Sequence, residues 1–586
     1  MWSCGLISLA LASLAAASQK CKCLPGDACF PSQSEWDEFA KNLSQPLITH
    51  QRPLASVCYT TSSNYDPSAC DAAANIQSDI AAFAASSNTL YYANFEALIT
   101  NTSVQQCPFD PAPDSVCYQG RVPSYAINVS TVADIQNTVQ FASKNNLHLV
   151  VKNTGHELMG RAFGVGSVEL FTHNLRDVNF SDSFVPLGAP DSTQGQSVIT
   201  VGAGVQWIDV YRLADEQNRS VAGGFSVRGT VGAGAGWPVG GGHSVLSPYY
   251  GLGVDNVLQY TVVLPNASYV TANDYQNIDI FWALRGGGAP SFGVVTSVTY
   301  KTHPNLPYTA AFYSATANSS VSYHRLFEVW NQHHNAVADA GWSGPWPFFE
   351  NSLYMTLVTQ GTPPTSASAN GTLEAFFSAS REIPGVNVSL TMTVPYSSFQ
   401  SFFYDNLVDS SKGIGLNFSS LSAGGTRTIS SSWLLPRELT APGNASALAD
   451  IYMQIPIGIP FMVGGGAVAT VDPNSTAVPP AWRTTITDMT LSGSYNETAN
   501  ATEIHALWQS IHDQTQPLRE LAPIPAGGQY LNEPDILEID WQSAHWGTNY
   551  PRLLSIKQAI DPDDLFIIRH GVNSEQWDEE VVCKTT

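Results

Sequence analysis

An apolar run, residues 147–151, empties into Lys152-Asn153-Thr154-Gly155-His156-Glu157-Leu158-Met159-Gly160-Arg161. The run reads as a buried strand. A strand that opens into a glycine-containing turn can expose several backbone N–H groups at once, a setting that suits a pyrophosphate. A histidine at the mouth of such a turn is placed for chemistry on whatever the turn holds; the competing reading is a solvated loop histidine. A second stretch, residues 223–253, is denser in glycine, with Gly229, Gly232, Gly234, Gly236, Gly240, Gly241, Gly242, Gly251 and Gly253. Glycine is selected where backbone comes close to a ligand or takes positive φ. Two such loops, both flanked by strands, suggest a long ligand gripped along one edge, against the alternative of tight turns in an all-β domain. Neither loop fits G-x-G-x-x-G opening a helix with an acidic residue downstream, so a Rossmann site is disfavoured. The absence of G-x-x-x-x-G-K-[ST], G-x-S-x-G and H-E-x-x-H removes the P-loop, hydrolase-elbow and zinc-protease readings.

Around these loops the pattern alternates. Residues 126–129 predict a strand, Ser130 caps a helix with Val132, Ile135, Val139 and Ala142 at helical spacing, and residues 147–151 follow as a strand. Further strands are expected at 168–171, 197–201, 257–264 and 293–300, with a helix over 207–217. From about 303 to 525 glycines thin out and apolar stretches such as 353–358 and 388–394 predict an antiparallel sheet, with a helix around 321–338. Leu553, Ile556 and Ile560 mark a last helix face, ended by Asp561-Pro562.

The N-terminal part differs in character. Residues 6–17 form a short apolar run ending in small residues, a signal peptide in outline and too short to span a bilayer. Cys21, Cys23, Cys29, Cys58, Cys70, Cys107, Cys117 and Cys583 read as disulfides in an oxidising compartment; Cys58–Cys70 and Cys107–Cys117 could each close a short loop. No histidine sits at zinc spacing nearby, so no metal is expected. One helix is expected over 69–86. N-x-S/T sequons at Asn42, Asn101, Asn128, Asn179, Asn218, Asn266, Asn318, Asn370, Asn387, Asn417, Asn444, Asn474, Asn496 and Asn500 agree with a glycosylated, secreted chain. With 586 residues the chain exceeds one hydrophobic core, and a formal charge of −23 makes nucleic acid and anionic membranes poor partners.

Several pieces keep a common order from about residue 121 to 572. They are Lys152-Asn153-Thr154-Gly155-His156; Thr230-Val231-Gly232 leading to Gly240-Gly241-Gly242-His243; Tyr250-Gly251-Leu252-Gly253-Val254-Asp255-Asn256-Val257; and Asp279-Ile280-Phe281-Trp282-Ala283-Leu284-Arg285-Gly286-Gly287-Gly288. Pro480-Ala481-Trp482-Arg483, Tyr530-Leu531-Asn532-Glu533 and Trp546-Gly547-Thr548-Asn549-Tyr550 follow, with Leu553, Lys557, Asp561-Pro562 and Phe566. As a set they resemble FAD-linked oxidoreductases with a PCMH-type flavin domain, in the berberine-bridge-enzyme-like branch of the vanillyl-alcohol oxidase superfamily, and are most similar to secreted fungal members.

The resemblance implies an α+β, two-lobed PCMH-type FAD-binding fold with a separate substrate lobe built on an antiparallel sheet with helices. Its parts would be a signal peptide (1–17), a Cys-rich extension (18–120), the FAD-binding domain (121–302), a substrate domain (303–525), a berberine-bridge-like segment returning to the FAD lobe (526–573) and a tail (574–586). His156 matches the histidine that relatives attach to the flavin 8α-methyl, a bond that raises the reduction potential. His243 is the competing candidate but falls where the family pattern places a structural contact. Asn153, Thr154, Gly155, Gly160, Val231, Gly232, Gly242, His243 and Asn532 would line the FAD site. Arg228 stands where some relatives carry a second, cysteinyl bond, and no Cys lies between Cys117 and Cys583, so a single bond is expected. Val231 matches a position whose small side chain admits oxygen. Tyr530 is the candidate catalytic base, which needs its pKa lowered by a cation or hydrogen bonds; it could equally only pack on the flavin, and Asp535 and Glu538 are alternatives. Asp255 and Arg285 would shape the lobe. The implied reaction takes hydride from a small alcohol, sugar or secondary metabolite and passes electrons to oxygen. A dehydrogenase with another acceptor, a degenerate flavin-binding protein and a colourless, carbohydrate-binding secreted protein are the rival readings.

Overall fold

β1 (Tyr125–Asn128) runs into α1 (Val132–Lys144), and the computed structural model puts Thr131, not Ser130, at the helix N-cap. Thr131 Oγ1 accepts from the Asp134 N–H at 3.2 Å while the Asp134 carboxylate accepts from the Thr131 N–H at 2.9 Å. That reciprocal box fixes the start of the helix; Ser130 contributes only its own N–H, to the same carboxylate. α1 buries Ile135, Val139 and Ala142 of the four residues its spacing singled out, while Val132, in its first turn, is only partly buried. Residues 21–112, 114–361, 367–409, 411–415 and 424–585 are described; the leader-like stretch 1–17 lies outside them. β2 (Leu149–Lys152) begins two residues later than expected, because the Leu147 N–H still donates to Ala142 at 2.9 Å at the end of α1. β1 and β2 do not pair with each other. Both run parallel to β3 (Val168–Phe171), which lies between them and is buried along its whole length.

A second sheet completes the first lobe. β4 (Val178–Phe184), β5 (Gln196–Gly202), β6 (Val257–Val263), β7 (Tyr269–Asn273) and β8 (Val294–Lys301) pair antiparallel in the order β7-β6-β8-β5-β4. α2 (Trp207–Glu216) and α3 (Ile278–Leu284) share its core, bringing Trp207, Tyr211, Phe281 and Leu284 against Ile199, Tyr260 and Val298. The second lobe is built on an antiparallel sheet. β9 (Tyr308–Ala317) pairs with β10 (Ser352–Gln360) on one side and β11 (Val386–Tyr396) on the other. β12 (Thr428–Pro436) and β13 (Thr485–Ser494) form its other end, joined to β10 through two-residue strands at Phe348–Phe349 and Ile457–Gly458, with Phe461–Met462 also paired to β13. α4 (Ser320–Asp339) covers one face, its Trp330 ring 5.1 Å from Phe376, which also meets Tyr313 of β9 at 5.0 Å. The mixture of helices and antiparallel sheets in two lobes is the α+β architecture expected.

The C-terminal segment returns to the first lobe. α5 (Tyr550–Ile560) buries Leu553, Ile556 and Lys557, and Leu531, Trp546 and Leu553 join the same core as β5 and α2. Ile560 is only partly buried. In the N-terminal extension the single helix expected over 69–86 is two, Pro67–Ser78 and Ile80–Ala84. Asp79 breaks it: its backbone is extended and its carboxylate caps the second helix by accepting from the Ala81 and Ala82 N–H groups. Cys58–Cys70 and Cys107–Cys117 close the two short loops, Cys23 pairs with Cys29, and Cys21 pairs with Cys583, tying the extension to the far end of the chain. Among the described residues no helix is long and apolar enough to cross a membrane.

Candidate active site

A cavity of about 880 Å³ is walled by the turn after β2, the second glycine loop, strands of the second lobe and the C-terminal segment. Asn153, Thr154, Gly155, His156, Val231, Gly232, His243, Tyr530 and Asn532 all line it. Gly160 and Gly242 do not. Gly160 has φ +77° and lies against Phe95, and Gly242 has φ +66° and packs on the Trp237 indole, which is itself part of the wall. Their contribution is loop shape, since side chains rarely tolerate that backbone conformation.

The first turn is held from several sides. Gly155 has φ +76°, and a Cβ there would press on Leu90 at 3.0 Å and Lys152 at 3.1 Å. Its carbonyl accepts from the Tyr91 N–H at 3.1 Å, and the Tyr91 ring stacks on His156 with centroids 4.0 Å apart. The N-terminal extension thus clamps the turn, which no local signal at Tyr91 announced. His156 Nε2 bonds Thr230 Oγ1 at 2.7 Å. Burial, followed by the Lys152 charge, drops the His156 pKa to about 3, so the ring is neutral and its Nδ1 is the nitrogen left available. Asn153 donates to the Ala203 carbonyl, and its Oδ1 is buried without a partner among the described residues. Glu157 accepts from the Met159 and Ala162 N–H groups. Arg161 donates to the Leu531 and Arg569 carbonyls at 3.0 and 3.1 Å, while its Nη2 is buried with no partner among the described residues.

The opposite wall carries the acid–base groups. Tyr530 Oη accepts from Asn532 Nδ2 at 2.7 Å. Burial first, then the charge of Glu533, pushes the Tyr530 pKa up against that hydrogen bond, so the expected lowering of the phenol is not what its surroundings produce. Asp535 and Glu538 lie off the cavity wall: Asp535 pairs with His512 at 2.7 Å, and Glu538 with Arg519. Glu533, in the quoted Tyr-Leu-Asn-Glu run but not singled out, does line the cavity. Its Oε2 accepts from Thr490 at 2.6 Å and its Oε1 lies 3.5 Å from His243 Nε2. Burial would raise the Glu533 pKa, but His243 and the Thr490 bond outweigh it and hold the carboxyl below its ordinary value. Asp488 Oδ2 stands 4.0 Å from the same His243 nitrogen. Burial, and then the Glu533 charge, drive the Asp488 pKa far upward; Ser432, outside hydrogen-bond geometry, does little against them. Asp255 makes a bidentate pair with Arg483 at 2.8 and 2.9 Å and Arg285 binds the Ser475 carbonyl, so both shape the fold around the site.

Residues 123–273 match the family described as FAD binding domain, and residues 529–573 match berberine and berberine like. An uncharacterized FAD-linked oxidoreductase of Arthroderma benhamiae is 35% identical over 584 residues, covering 96% of each chain. The chain belongs to the berberine-like FAD-linked oxidoreductases. Among solved structures, the VAO-type flavoprotein MtVAO713 from Myceliophthora thermophila C1 superposes with a TM-score of 0.85 at 28% identity, over 97% of this chain and 100% of that one. The glucooligosaccharide oxidase of Acremonium strictum, described with a 6-S-cysteinyl, 8α-N1-histidyl FAD, shares the fold with a TM-score of 0.62 at 20% identity, covering 77% and 91%.

The residues present fit the cofactor of this FAD-linked family. Gly236 lines the cavity with no atom within 4 Å of where a Cβ would stand, so a side chain there would enter the space itself. Arg161 lines the cavity as a cation and keeps one buried N–H without a partner among the described residues, and the unpartnered Asn153 Oδ1 supplies an acceptor. Neutral His156 offers a nucleophilic nitrogen. Arg228, at φ +53°, is exposed and is absent from the cavity wall.

Proposed function

We propose that this chain is a secreted, glycosylated flavoprotein oxidase that holds FAD by one bond, through Nδ1 of His156. The single observation that carries the reading is the His156 ring, pinned at Nε2 by Thr230 and stacked on Tyr91, in the wall of a glycine-lined cavity. When bound, FAD supplies the two-electron oxidant. Asn153, Thr154, Gly155 and Gly232 would line its edge, with Gly160 and Gly242 shaping the loops that do so, and Arg161 would meet its anionic part. The lack of any Cys between Cys117 and Cys583 supports a single attachment, in contrast to the doubly attached flavin described for glucooligosaccharide oxidase. Val231 in the wall leaves room for oxygen. Export is supported by the leader-like run, by the four disulfides and by the sequon asparagines, which are exposed at Asn42, Asn101, Asn179, Asn218, Asn266, Asn318, Asn387, Asn444, Asn474, Asn496 and Asn500.

The remaining wall is mostly apolar, with Phe225, Phe349, Leu407, Ile457, Ile459 and Phe461, beside a smaller polar patch of Thr426, Arg427, Thr428, Ser492 and Ser494. A sugar needs many polar partners to replace its hydration, and unpaired hydroxyls are costly to bury. The cavity therefore favours a small, largely apolar alcohol of the secondary-metabolite kind over a saccharide. Tyr530 and Asn532 would hydrogen-bond its hydroxyl near the reacting carbon. The test is to mix the purified yellow protein anaerobically with a panel of benzylic, allylic and aliphatic alcohols and of mono- and oligosaccharides, and to follow loss of flavin absorbance before admitting air. The expected outcome is bleaching by an apolar alcohol and one hydrogen peroxide per alcohol consumed in air. Bleaching without peroxide would make the protein a dehydrogenase, and no bleaching by any compound would leave a flavin-binding protein without this activity.

A further inference from the structure

We propose that the carboxylate of Glu533 is the proton acceptor of the oxidation, with His243 and Thr490 fixing it in place and Asp488 behind them retaining a proton. The inference rests on the oxidase reading above. Among the described residues, the carboxylates lining the cavity are Glu157 and Glu533. Glu157 is committed to the N–H groups of its own turn. Glu533 has one oxygen bound to Thr490 and the other directed at His243, and 22% of its side chain is open, on the cavity side. The Glu533 N–H donates to the Tyr530 carbonyl at 2.9 Å, a tight turn that puts Tyr530, Asn532 and Glu533 on one wall. A substrate hydroxyl held by Tyr530 and Asn532 would therefore have a carboxylate beside it.

The groups facing Glu533 come from four places in the chain: His243 from the second glycine loop, Asp488 and Thr490 from β13, Tyr92 from the extension, and Tyr530 from its own segment. Asp488 is fully buried and both its oxygens lack a hydrogen-bond partner among the described residues. A carboxylate in that position cannot stay ionised next to a second one, so one proton serves the pair and the negative charge falls on the better-solvated member. That member is Glu533. The two phenols are driven upward by burial and stay neutral, able to donate or accept hydrogen bonds but not to receive the proton. For an alcohol the O–H bond breaks with its electron pair remaining on oxygen and its proton passing to Glu533. The carbonyl forms as the C–H bond breaks, and the hydrogen leaves with both electrons to FAD, the oxidant.

Glu533→Gln keeps the shape and the hydrogen-bonding capacity and removes the charge. Flavin content, visible spectrum and melting temperature should match the wild type, while flavin reduction by the alcohol identified in the anaerobic panel falls about 100-fold or more. Glu533→Asp should recover part of the rate, and Tyr530→Phe should lose less than Glu533→Gln. A second readout uses no substrate. The infrared difference between wild type and Glu533→Gln at pH 7 should show an ionised carboxylate, and that between wild type and Asp488→Asn a protonated carboxyl. A protonated carboxyl at position 533, or a Glu533→Gln rate within about tenfold of wild type, overturns the proposal. If no compound bleaches the wild type, the oxidase reading has failed, and the infrared comparison alone decides the charge on Glu533.

Discussion

Thr230 and Tyr91 decide what His156 can do: one occupies a ring nitrogen, the other fixes the plane of the ring. His156→Ala should leave the flavin extractable by acid precipitation, with a non-fluorescent protein band on a denaturing gel, whereas the wild-type band fluoresces. Flavin that stays with the precipitated variant would place the attachment elsewhere, His243 first. Glu96 yields a pH prediction. Its carboxylate accepts from the Leu90 N–H at 2.6 Å, yet burial pushes its pKa from 4.5 up to about 7, against that bond and the charges of Arg427 and Lys152. The folded chain then holds a proton that the unfolded chain has released, so stability is lost as pH rises from about 4.5 through about 7. Glu96→Gln removes this dependence. Its melting temperature relative to wild type should rise between pH 5 and pH 8, and a flat difference would refute the assignment. At this scale His156 was legible because strand, turn and ring are contiguous. Glu533 was visible only as a letter in a motif, since its partners His243, Asp488 and Thr490 stand far from it in the chain.

Elements with one dominant signal were legible almost to the residue. The strand at 168–171 and the helix around 321–338 appear as Val168–Phe171 and Ser320–Asp339. The misreadings lie at caps, where one side chain outvotes the apolar period: Thr131 over Ser130, and Asp79 splitting a helix in two. The last helix shows a stronger case. Lys557 sits among its apolar residues, fully buried, donating to the Ser291 carbonyl at 2.8 Å, Asp561 at 2.6 Å and the Phe566 carbonyl at 2.7 Å. The Ser291 bond joins the returning segment to the first lobe, and the other two brace the segment itself. Lys557→Met should cost about 3–5 kcal/mol, because it strands the Asp561 carboxylate without its partner. A urea-unfolding midpoint unchanged from wild type would show that the segment docks on apolar contact alone.

Across the whole molecule, the extension and the far terminus are coupled. Cys21 and Cys583 are 562 positions apart, and the chain they join also carries Tyr91, which stacks on His156, and Tyr92 in the cavity wall. Replacing both cysteines by serine should lower stability by about 2–5 kcal/mol. It should also slow flavin attachment, measured as the covalent fraction at fixed expression time; an unchanged melting temperature would show that packing alone holds the termini. What the sequence determined by itself was the family, the α+β class and the glycine-containing turn that carries His156, because each is written in contiguous residues or in an ordered set of motifs; the two short disulfide loops it offered without fixing them. The tertiary structure alone decided that the extension clamps the histidine, that Gly160 and Gly242 stand behind the wall, and that Glu533 rather than Asp535 or Glu538 faces the cavity. Those facts depend on which distant segments share one buried space, and burial and neighbouring charge set protonation only once that space is closed.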